Sequence, residues 1–260
     1  MDWTKYLKPA RACQPSPLEQ VYEHLAQALG RFLPPTCLLC LDPGQPPALD
    51  LCAACQADLP RLLPACTGCA LPLPRPDAFL CAGCLQQPRA FDAAFAAYRY
   101  EFPLDSMVRR LKDGGGIAVS RGLGTLLGNV AAGAHPLHVQ ALVAVPLHRR
   151  REAARGYNQA GEIARFAARR LGLPVLHGLV RRRRHTVEQV GLGAAERADN
   201  LRGAFELLRP LPVRRVAIVD DVLTTGSTAE ELAATLKEGG ADWVEAWSVA
   251  RAVLSPGRAG

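Results

Sequence analysis

Long apolar runs, lysine and aromatic residues are all scarce in this chain of 260 residues. No apolar stretch reaches the roughly 20 residues that a transmembrane helix requires, so we expect no membrane insertion. Aromatic residues make up 6% of the chain, too few for the stacking surface typical of proteins that bind single-stranded nucleic acid. The N-terminus carries Asp2 and Lys5 and has no apolar signal core, so we expect a cytoplasmic protein.

Disulfide bonds are a further expected absence, although the chain contains nine cysteines. A chain that is not exported stays in a reducing compartment, where cysteines serve as metal ligands more often than as disulfides. Eight of them form four Cys-x-x-Cys pairs, separated by gaps of 11, 10 and 11 residues. The pairs are Cys37/Cys40, Cys52/Cys55, Cys66/Cys69 and Cys81/Cys84.

This cysteine spacing predicts two structural Zn2+ ions in a double zinc ribbon over residues 37–90. Two Cys-x-x-Cys turns supply the four thiolates of a tetrahedral site, and four sulfur ligands leave no open position for catalysis. We expect the first two pairs to share one ion and the last two pairs the other. An interleaved arrangement, with the first pair joined to the third, stays open. The module has little other apolar mass, which predicts that it unfolds without metal.

The formal charge of +7 falls entirely on the C-terminal part, because residues 1–90 carry equal numbers of acidic and basic side chains. If the thiolates bind two Zn2+, each site contributes about −2 and the chain carries only about +3. Basic residues concentrate at Arg149–Arg151, with Arg155, and at Arg181–Arg184. Polyanions such as DNA or pyrophosphate suit Arg181–Arg184, and a solvated surface is the alternative.

The apolar pattern predicts an α/β protein with a small appendage. Residues 1–36 have apolar positions at helical spacing and predict one amphipathic helix. From residue 91, strand signals alternate with helix signals, which is typical of a parallel sheet. Residues 181–203 lack a clear period and predict a long loop. The predicted strands are 94–100, 141–145, 216–219 and 243–250, and the predicted helices are 104–111, 121–132, 158–171 and 229–237.

The most informative motif covers residues 216–228, Val-Ala-Ile-Val-Asp-Asp-Val-Leu-Thr-Thr-Gly-Ser-Thr. Its apolar start predicts a buried strand that ends at Asp220 and Asp221, followed by a hydroxyl-rich loop and a helix. Backbone N–H groups at a helix start bind phosphate, whereas carboxylates suit sugar hydroxyls or a hydrated metal. The predicted ligand is a ribose 5-phosphate with a further anionic group and Mg2+. The alternative is an ordinary turn in which Asp and Thr act as cap residues.

This motif resembles the 5-phosphoribosyl 1-pyrophosphate (PRPP) binding motif of type I phosphoribosyltransferases. The resemblance implies a phosphoribosyltransferase-like domain over residues 91–260, with Asp220 and Asp221 as the catalytic acids that contact the ribose hydroxyls. It also implies that PRPP binds together with Mg2+. The loop expected to wrap the 5-phosphate consists of Thr224, Thr225, Gly226, Ser227 and Thr228.

Three further segments are candidates for contact with PRPP. In open α/β sheets ligands bind at the carboxyl edge, where residues 146–151 follow a predicted strand. The resemblance to phosphoribosyltransferases implies that this segment is the pyrophosphate loop, where Arg149, Arg150 and Arg151 supply fitting charge. Lys112 is one of very few lysines in the chain, which suggests that a compact positive charge is needed at this position to bind PRPP. The alternative is an ordinary lysine on a helix surface. Tyr157 would face the ligand, with core packing as the alternative.

The order of these motifs is similar to that of the ComF family of competence proteins, which includes the GntX-type proteins. The resemblance runs from Cys37 to Arg251 and implies a link to natural transformation and the use of external DNA. The resemblance to type I phosphoribosyltransferases further implies that the loop at residues 181–203 is mobile and closes over PRPP. Besides the cysteine pairs and the PRPP motif, the resemblance to the ComF family rests on Leu111-Lys112, residues 155–160, Thr186, Gln189, Arg197, Asn200, Arg202, Gly203 and Phe205.

These features leave three functions open. The first is a phosphoribosyltransferase in which pyrophosphate leaves C1 of the ribose, Asp220 and Asp221 stabilise the positive charge that develops, and an unknown acceptor attacks. The second is a non-catalytic module that binds PRPP, or single-stranded DNA through Arg181–Arg184. The third is a zinc-ribbon adaptor for DNA-uptake or DNA-translocation proteins. The sequence carries no signature of an acceptor pocket.

Overall fold

The structure is a computed structural model that describes residues 35–45, 50–75, 77–113, 116–133, 138–183 and 203–253. The predicted N-terminal helix lies outside the described residues, as do Arg184, Thr186, Gln189, Arg197, Asn200 and Arg202. The side chain of Arg150 also lies outside this description.

Helices and strands alternate in the described part, as predicted. The helices are α1 (Ala53–Ala57), α2 (Ala82–Gln86), α3 (Leu104–Lys112), α4 (Gly116–Gly133), α5 (Arg149–Arg155), α6 (Gln159–Leu171) and α7 (Ser227–Glu238). The strands are β1 (Ala93–Arg99), β2 (Ala141–Ala144), β3 (Val180–Arg182), β4 (Phe205–Leu207), β5 (Arg215–Leu223) and β6 (Trp243–Arg251).

The main sheet has four strands in the order β1-β6-β5-β2, and all of its pairs are parallel. Successive residues of a strand point to opposite faces, and β5 follows this rule. Ala217 and Val219 are buried on the face covered by α3, α4 and α6, whereas Val216 and Ile218 are buried on the face covered by α7. The predicted α/β fold with a parallel sheet is therefore confirmed.

Helices α4 and α6 approach each other closely because glycines face the contact. A Cβ atom on Gly124 would lie 2.6 Å from the carbonyl oxygen of Ile163, and one on Gly128 would lie 2.8 Å from Cβ of Arg170. Neither position has room for a side chain. This packing fixes α6, whose N-terminus borders the carboxyl edge of the sheet.

Several predicted boundaries are wrong, and pairing partners distant in sequence explain two of them. Strand β5 does not end at Asp220 and Asp221, because β6 pairs with it as far as Leu223. The predicted loop at 181–203 starts too early, since β3 carries Arg181 and Arg182 and pairs antiparallel with β4. Residues 149–151 open the short helix α5 instead of remaining in a loop.

The cysteine-rich module is docked on the sheet and not merely tethered to it. Leu51 and Leu59 are buried in the same cluster as helices α3 and α4. Strand β1 lies at the edge of the sheet, and Arg61 forms an antiparallel bridge to Tyr98 there. The backbone N–H of Ala94 donates to the carbonyl of Thr67 at 2.7 Å. These contacts join residues on both sides of position 90, where the sequence predicts the boundary between the two domains. The division into two domains stays a prediction.

Candidate functional site

The two adjacent acids of β5 have fixed side-chain orientations. The backbone N–H of Asp221 donates to Oδ1 of Asp220 at 2.8 Å, and the N–H of Val222 donates to Oδ1 of Asp221 at 2.7 Å. One oxygen of each carboxyl group is thus occupied by the strand itself. The Oδ2 atom of Asp221 accepts a different partner, Lys112.

Lys112 is the last residue of α3, and its Nζ lies 3.2 Å from Oδ2 of Asp221. Burial lowers the pKa of Lys112, but the attraction of Asp221 outweighs this effect, and the pKa lies above its usual value. Lys112 therefore carries its positive charge. Its ammonium group pairs with Asp221, and a role of Lys112 in ligand binding stays a prediction.

Asp220 has a strongly perturbed carboxyl group. Burial of the carboxyl group, reinforced by the negative charge of Asp221, raises the pKa of Asp220 to about 8. Asp220 is then mostly protonated at neutral pH, whereas Lys112 balances the charge of Asp221. A protonated carboxyl can donate a hydrogen bond to a hydroxyl group, and such perturbed acids are typical of functional sites.

The loop after β5 presents an open helix N-terminus. Gly226 is the N-cap residue of α7 and has φ of 87°, a left-handed conformation that favours glycine. Because glycine has no side chain, the N-cap position makes no side-chain hydrogen bond to the helix. The hydroxyl groups of Thr225 and Ser227 lie 2.9 Å apart and hydrogen bond to each other. The N–H of Ser227 donates to Oγ1 of Thr225 at 3.4 Å, and the N–H groups of the next residues in this 12-residue helix point toward the position where an anion would bind. Thr224 and Thr225 follow β5 and lead to Gly226, whereas Ser227 and Thr228 already belong to the first turn of α7, so the loop is shorter than predicted.

The end of β2 forms the neighbouring wall, because Ala144 pairs with Val219 and the N–H of Val145 donates to the carbonyl of Val219 at 3.0 Å. Residues 146–149 therefore begin beside Asp220. Asn158 holds this wall, donating from Nδ2 to the carbonyl of Val145 at 3.0 Å while its Oδ1 caps helix α6.

Tyr157 forms a hydrogen bond to the end of helix α3. Its hydroxyl donates to the carbonyl oxygen of Leu111 at 2.9 Å, directly before Lys112. The ring packs against the core cluster and also lines a cavity of about 420 Å3 beside Pro146 and His177. Tyr157 thus fixes the end of α3 that carries Lys112, and its direct contact with a ligand stays a prediction.

The two arginine-rich segments meet in one cavity of about 220 Å3. Arg149 at the start of α5 lines it together with His148, and the other wall consists of Arg181 and Arg182 of β3 and the next residue, Arg183. Glu206 compensates part of this charge, since its Oε2 lies 2.7 Å from Arg181 and 3.6 Å from Arg183. The hydrogen bond from Arg181 lowers the pKa of Glu206, so this acid is ionised. Among the described residues, this cavity therefore brings together arginine side chains from two segments that are distant in the sequence.

The cysteines form two groups whose geometry fits zinc. Within each group the four Sγ atoms lie within 4.8 Å of one another. The Sγ atoms of Cys40 and Cys52 are 3.6 Å apart, as are those of Cys69 and Cys81. A tetrahedron with Zn–S bonds of about 2.3 Å has edges of about 3.8 Å, so these distances suit the ion. The groups are Cys37, Cys40, Cys52, Cys55 and Cys66, Cys69, Cys81, Cys84.

This grouping agrees with the predicted assignment of the first two pairs to one ion, and the interleaved alternative is wrong. Cys69 and Cys84 are nearly buried, whereas Cys40 is exposed. Four thiolates complete each site, so zinc bound here would supply structural stability and not a catalytic position.

Sequence reasoning missed two buried charged residues that anchor the cysteine module. Asp50 is 3% exposed and accepts a bidentate pair of hydrogen bonds from Arg121 of α4, at 2.6 and 2.7 Å. Arg251 at the end of β6 is 4% exposed. A charged residue directly after the apolar pair Val249-Ala250 at the end of β6 is the signal that could have identified Arg251.

Comparison with known proteins shows similarity to a double zinc ribbon domain and to proteins named for competence or for DNA utilization. Residues 28–87 match the double zinc ribbon domain. The chain is 36% identical to competence protein F of Haemophilus influenzae over 209 residues, which are 78% of this chain and 90% of that protein. It is 32% identical to DNA utilization protein YhgH of Salmonella typhimurium over 223 residues, 84% of this chain and 98% of that protein.

The same relationship extends to DNA utilization protein YhgH of Escherichia coli K12, with 32% identity over 225 residues, 84% of this chain and 98% of that protein. Among the described residues, no helix combines the length and the apolar character needed to cross a membrane.

Proposed function

Because the chain belongs to the ComF family, which includes competence protein F and DNA utilization protein YhgH, we propose that it acts in the cytoplasm in the uptake or use of external DNA and binds PRPP with Mg2+. The observation that carries the PRPP proposal is the arrangement of Asp220, Asp221 and Lys112 beside an open helix N-terminus. The double zinc ribbon serves as its scaffold.

Each part of PRPP has a counterpart at the carboxyl edge of the sheet. The N–H groups at the start of α7 suit the 5-phosphate, and the two acids suit the ribose hydroxyls. Lys112 and Arg149, together with Arg150 and Arg151, supply positive charge for the pyrophosphate. Mg2+ prefers oxygen ligands and keeps part of its water shell, so PRPP oxygens and these acids fit it.

In the enzymatic form of the proposal, the bond between C1 of the ribose and the pyrophosphate oxygen breaks, and its electron pair leaves with pyrophosphate. The acceptor then bonds to C1 and releases a proton. Mg2+ would neutralise charge on the leaving pyrophosphate. Asp221 and its partner Lys112 contribute by positioning and electrostatics, since charge of opposite sign develops on the ribose and on the leaving group.

Calorimetric titration of the zinc-loaded protein with PRPP and Mg2+ tests this proposal. We expect binding by the native protein and loss of binding in Asp221→Asn, whereas Asp242→Asn at an exposed ion pair binds normally. Absence of binding to the native protein would overturn the PRPP proposal. Pyrophosphate release with a panel of bases and nucleotides then tests turnover, and binding without release from any acceptor would leave a PRPP-binding module.

A second candidate function is the binding of single-stranded DNA, favoured by the cavity that joins Arg149 to Arg181–Arg183. Phosphate contacts by arginine make affinity fall steeply with salt. We expect Arg149→Gln combined with Arg181→Gln to weaken binding of a labelled oligothymidylate, measured by fluorescence anisotropy. The salt slope should fall by about one unit for each lost phosphate contact. Arg214→Gln, at an exposed arginine, is the control, and equal losses in both variants would contradict the assignment.

A further inference from the structure

Arg251 places a buried positive charge between two loops of different modules. Its Nε donates to the carbonyl of Cys69 at 2.8 Å, and its Nη1 donates to the carbonyl of Leu223 at 2.8 Å. Nη1 also donates to the carbonyls of Thr224 and Ala252. All four of these acceptors are backbone oxygens. Burying a guanidinium is costly unless such acceptors surround it, so the arrangement depends on every loop that supplies one.

The two loops joined by Arg251 belong to the second cysteine group and to the candidate phosphate site. Cys69 is one of the four members of that group, and Thr224 is the first residue of the loop that leads into α7. The residue after Cys69, Ala70, has φ of 56°, a conformation unfavourable for a residue with a Cβ atom. The direction of the Cys69 carbonyl thus depends on a strained turn, and four thiolates bound to one ion would hold that turn in place.

The first cysteine group is anchored elsewhere and supplies a natural comparison. Nη1 of Arg110 in α3 donates to the carbonyl of Leu38, between Cys37 and Cys40. Asp50, two residues before Cys52, is held by Arg121 of α4. These anchors lead to helices α3 and α4 and not to the loop that follows β5.

We propose that Arg251 is a positioning residue that couples metal occupancy of the second cysteine group to the conformation of the phosphate loop, residues 224–228. Metal loss from the second group, or loss of the Arg251 guanidinium, loosens this loop, whereas metal loss from the first group does not. The ligand named here, PRPP, rests on the proposed function, but the coupling is a property of the chain alone. Coupling is reciprocal, so a ligand that orders the loop also raises the affinity of the second group for its ion by the same factor.

Hydrogen exchange of a peptide covering residues 222–229 tests the coupling without any ligand, because exchange reports local opening. In the full chain, Cys84→Ser and Arg251→Lys should each speed exchange of this peptide about tenfold, within the usual range of coupling between sites. The double variant should add little to either single change, since both remove the same connection. Cys55→Ser, which disrupts the first group, should leave exchange of the peptide within about twofold.

Native exchange in Cys84→Ser, or additive effects in the double variant, would overturn the proposal. If Cys84→Ser does not fold, Arg251→Lys still tests the coupling, provided that this variant retains both zinc ions. Unchanged exchange in its loop would refute the coupling. A second measurement uses zinc release to a chromogenic chelator. PRPP with Mg2+ should slow release of one zinc equivalent from the native protein and not from Arg251→Lys.

The two proposals fail in distinguishable ways. If PRPP neither binds nor slows zinc release in the native protein, but the exchange experiment gives the expected pattern, the proposed ligand is wrong and the coupling stands. If PRPP binds and the loop exchanges equally in all variants, the coupling is wrong and the PRPP site stands.

Discussion

The ammonium group of Lys112 lies 3.2 Å from the Oδ2 atom of Asp221, where the end of helix α3 meets strand β5. This contact joins two segments more than a hundred residues apart, and both of them belong to the predicted PRPP site. It keeps Asp221 paired while burial favours the protonated form of its neighbour Asp220. The adjacent acids therefore differ in charge before any ligand arrives.

Removal of Lys112 should weaken PRPP binding. In Lys112→Ala the acids lose their positive partner and the pyrophosphate loses a counter-charge, so we expect an affinity loss of about tenfold or more in calorimetry. Lys237→Ala is a matched control, because Lys237 pairs with Asp92 at 2.8 Å away from the phosphate loop. Native affinity in Lys112→Ala would contradict the role of this lysine.

The raised pKa of Asp220 makes stability depend on pH. The folded protein holds this proton up to about pH 8, whereas the unfolded chain releases it near pH 4, so stability falls as pH rises between these values. We expect Asp220→Asn to melt at a higher temperature than the native protein at pH 9, by about 2–4 °C for each kcal/mol gained. The difference should shrink as the pH is lowered toward 5. Asp242→Asn is the control. If the melting temperatures of Asp220→Asn and the native protein differ by the same amount at pH 5 and pH 9, or if Asp220→Asn behaves like the control, the raised pKa of Asp220 is contradicted.

Gly226→Ala should damage the phosphate loop. Its φ of 87° is unfavourable for alanine, so we expect a loss of about 1 kcal/mol or more in the free energy of unfolding, together with weaker PRPP binding. The control is Gly133→Ala at the end of α4, where a Cβ atom meets nothing within 4 Å. Denaturant unfolding and calorimetry measure both effects, and equal stability of the two variants would contradict the strained geometry.

Measurement of the zinc content of cysteine variants tests which cysteines share an ion. We expect two zinc ions per chain and one in Cys40→Ser, measured by atomic emission. The double variant Cys40→Ser/Cys52→Ser should still hold one ion, because both residues belong to the same group. Cys40→Ser/Cys69→Ser should hold none. The interleaved arrangement predicts the reverse for the two double variants, so the comparison is decisive.

Local sequence patterns predicted the features that depend on neighbouring residues. The alternation of strands and helices, the spacing of the cysteine pairs and the position of the loop beyond Asp221 all arise from short-range periodicity and turn chemistry. The sequence also singled out Lys112, because the chain has few lysines and mostly uses arginine, and its role in ligand binding stays a prediction.

Features that depend on a distant partner could not be predicted in this way. Strand β5 continues beyond its acids because β6 lies beside it, and β3 exists because β4 pairs with three residues that carry no period of their own. The contact of Asp50 with Arg121 spans 71 residues, and that of Arg251 with Cys69 spans 182. No window of sequence contains both members of such a pair.

The docking of the cysteine module on β1 also bears on self-association. An edge strand offers unpaired N–H and C=O groups to the strands of other molecules. Here the carbonyl of Pro60 accepts from the N–H of Arg99 at 2.8 Å and that of Thr67 accepts from Ala94, so the module covers the outer edge of β1. A chain stripped of its metal would uncover this edge, and aggregation through strand addition is the expected fate of the apo protein.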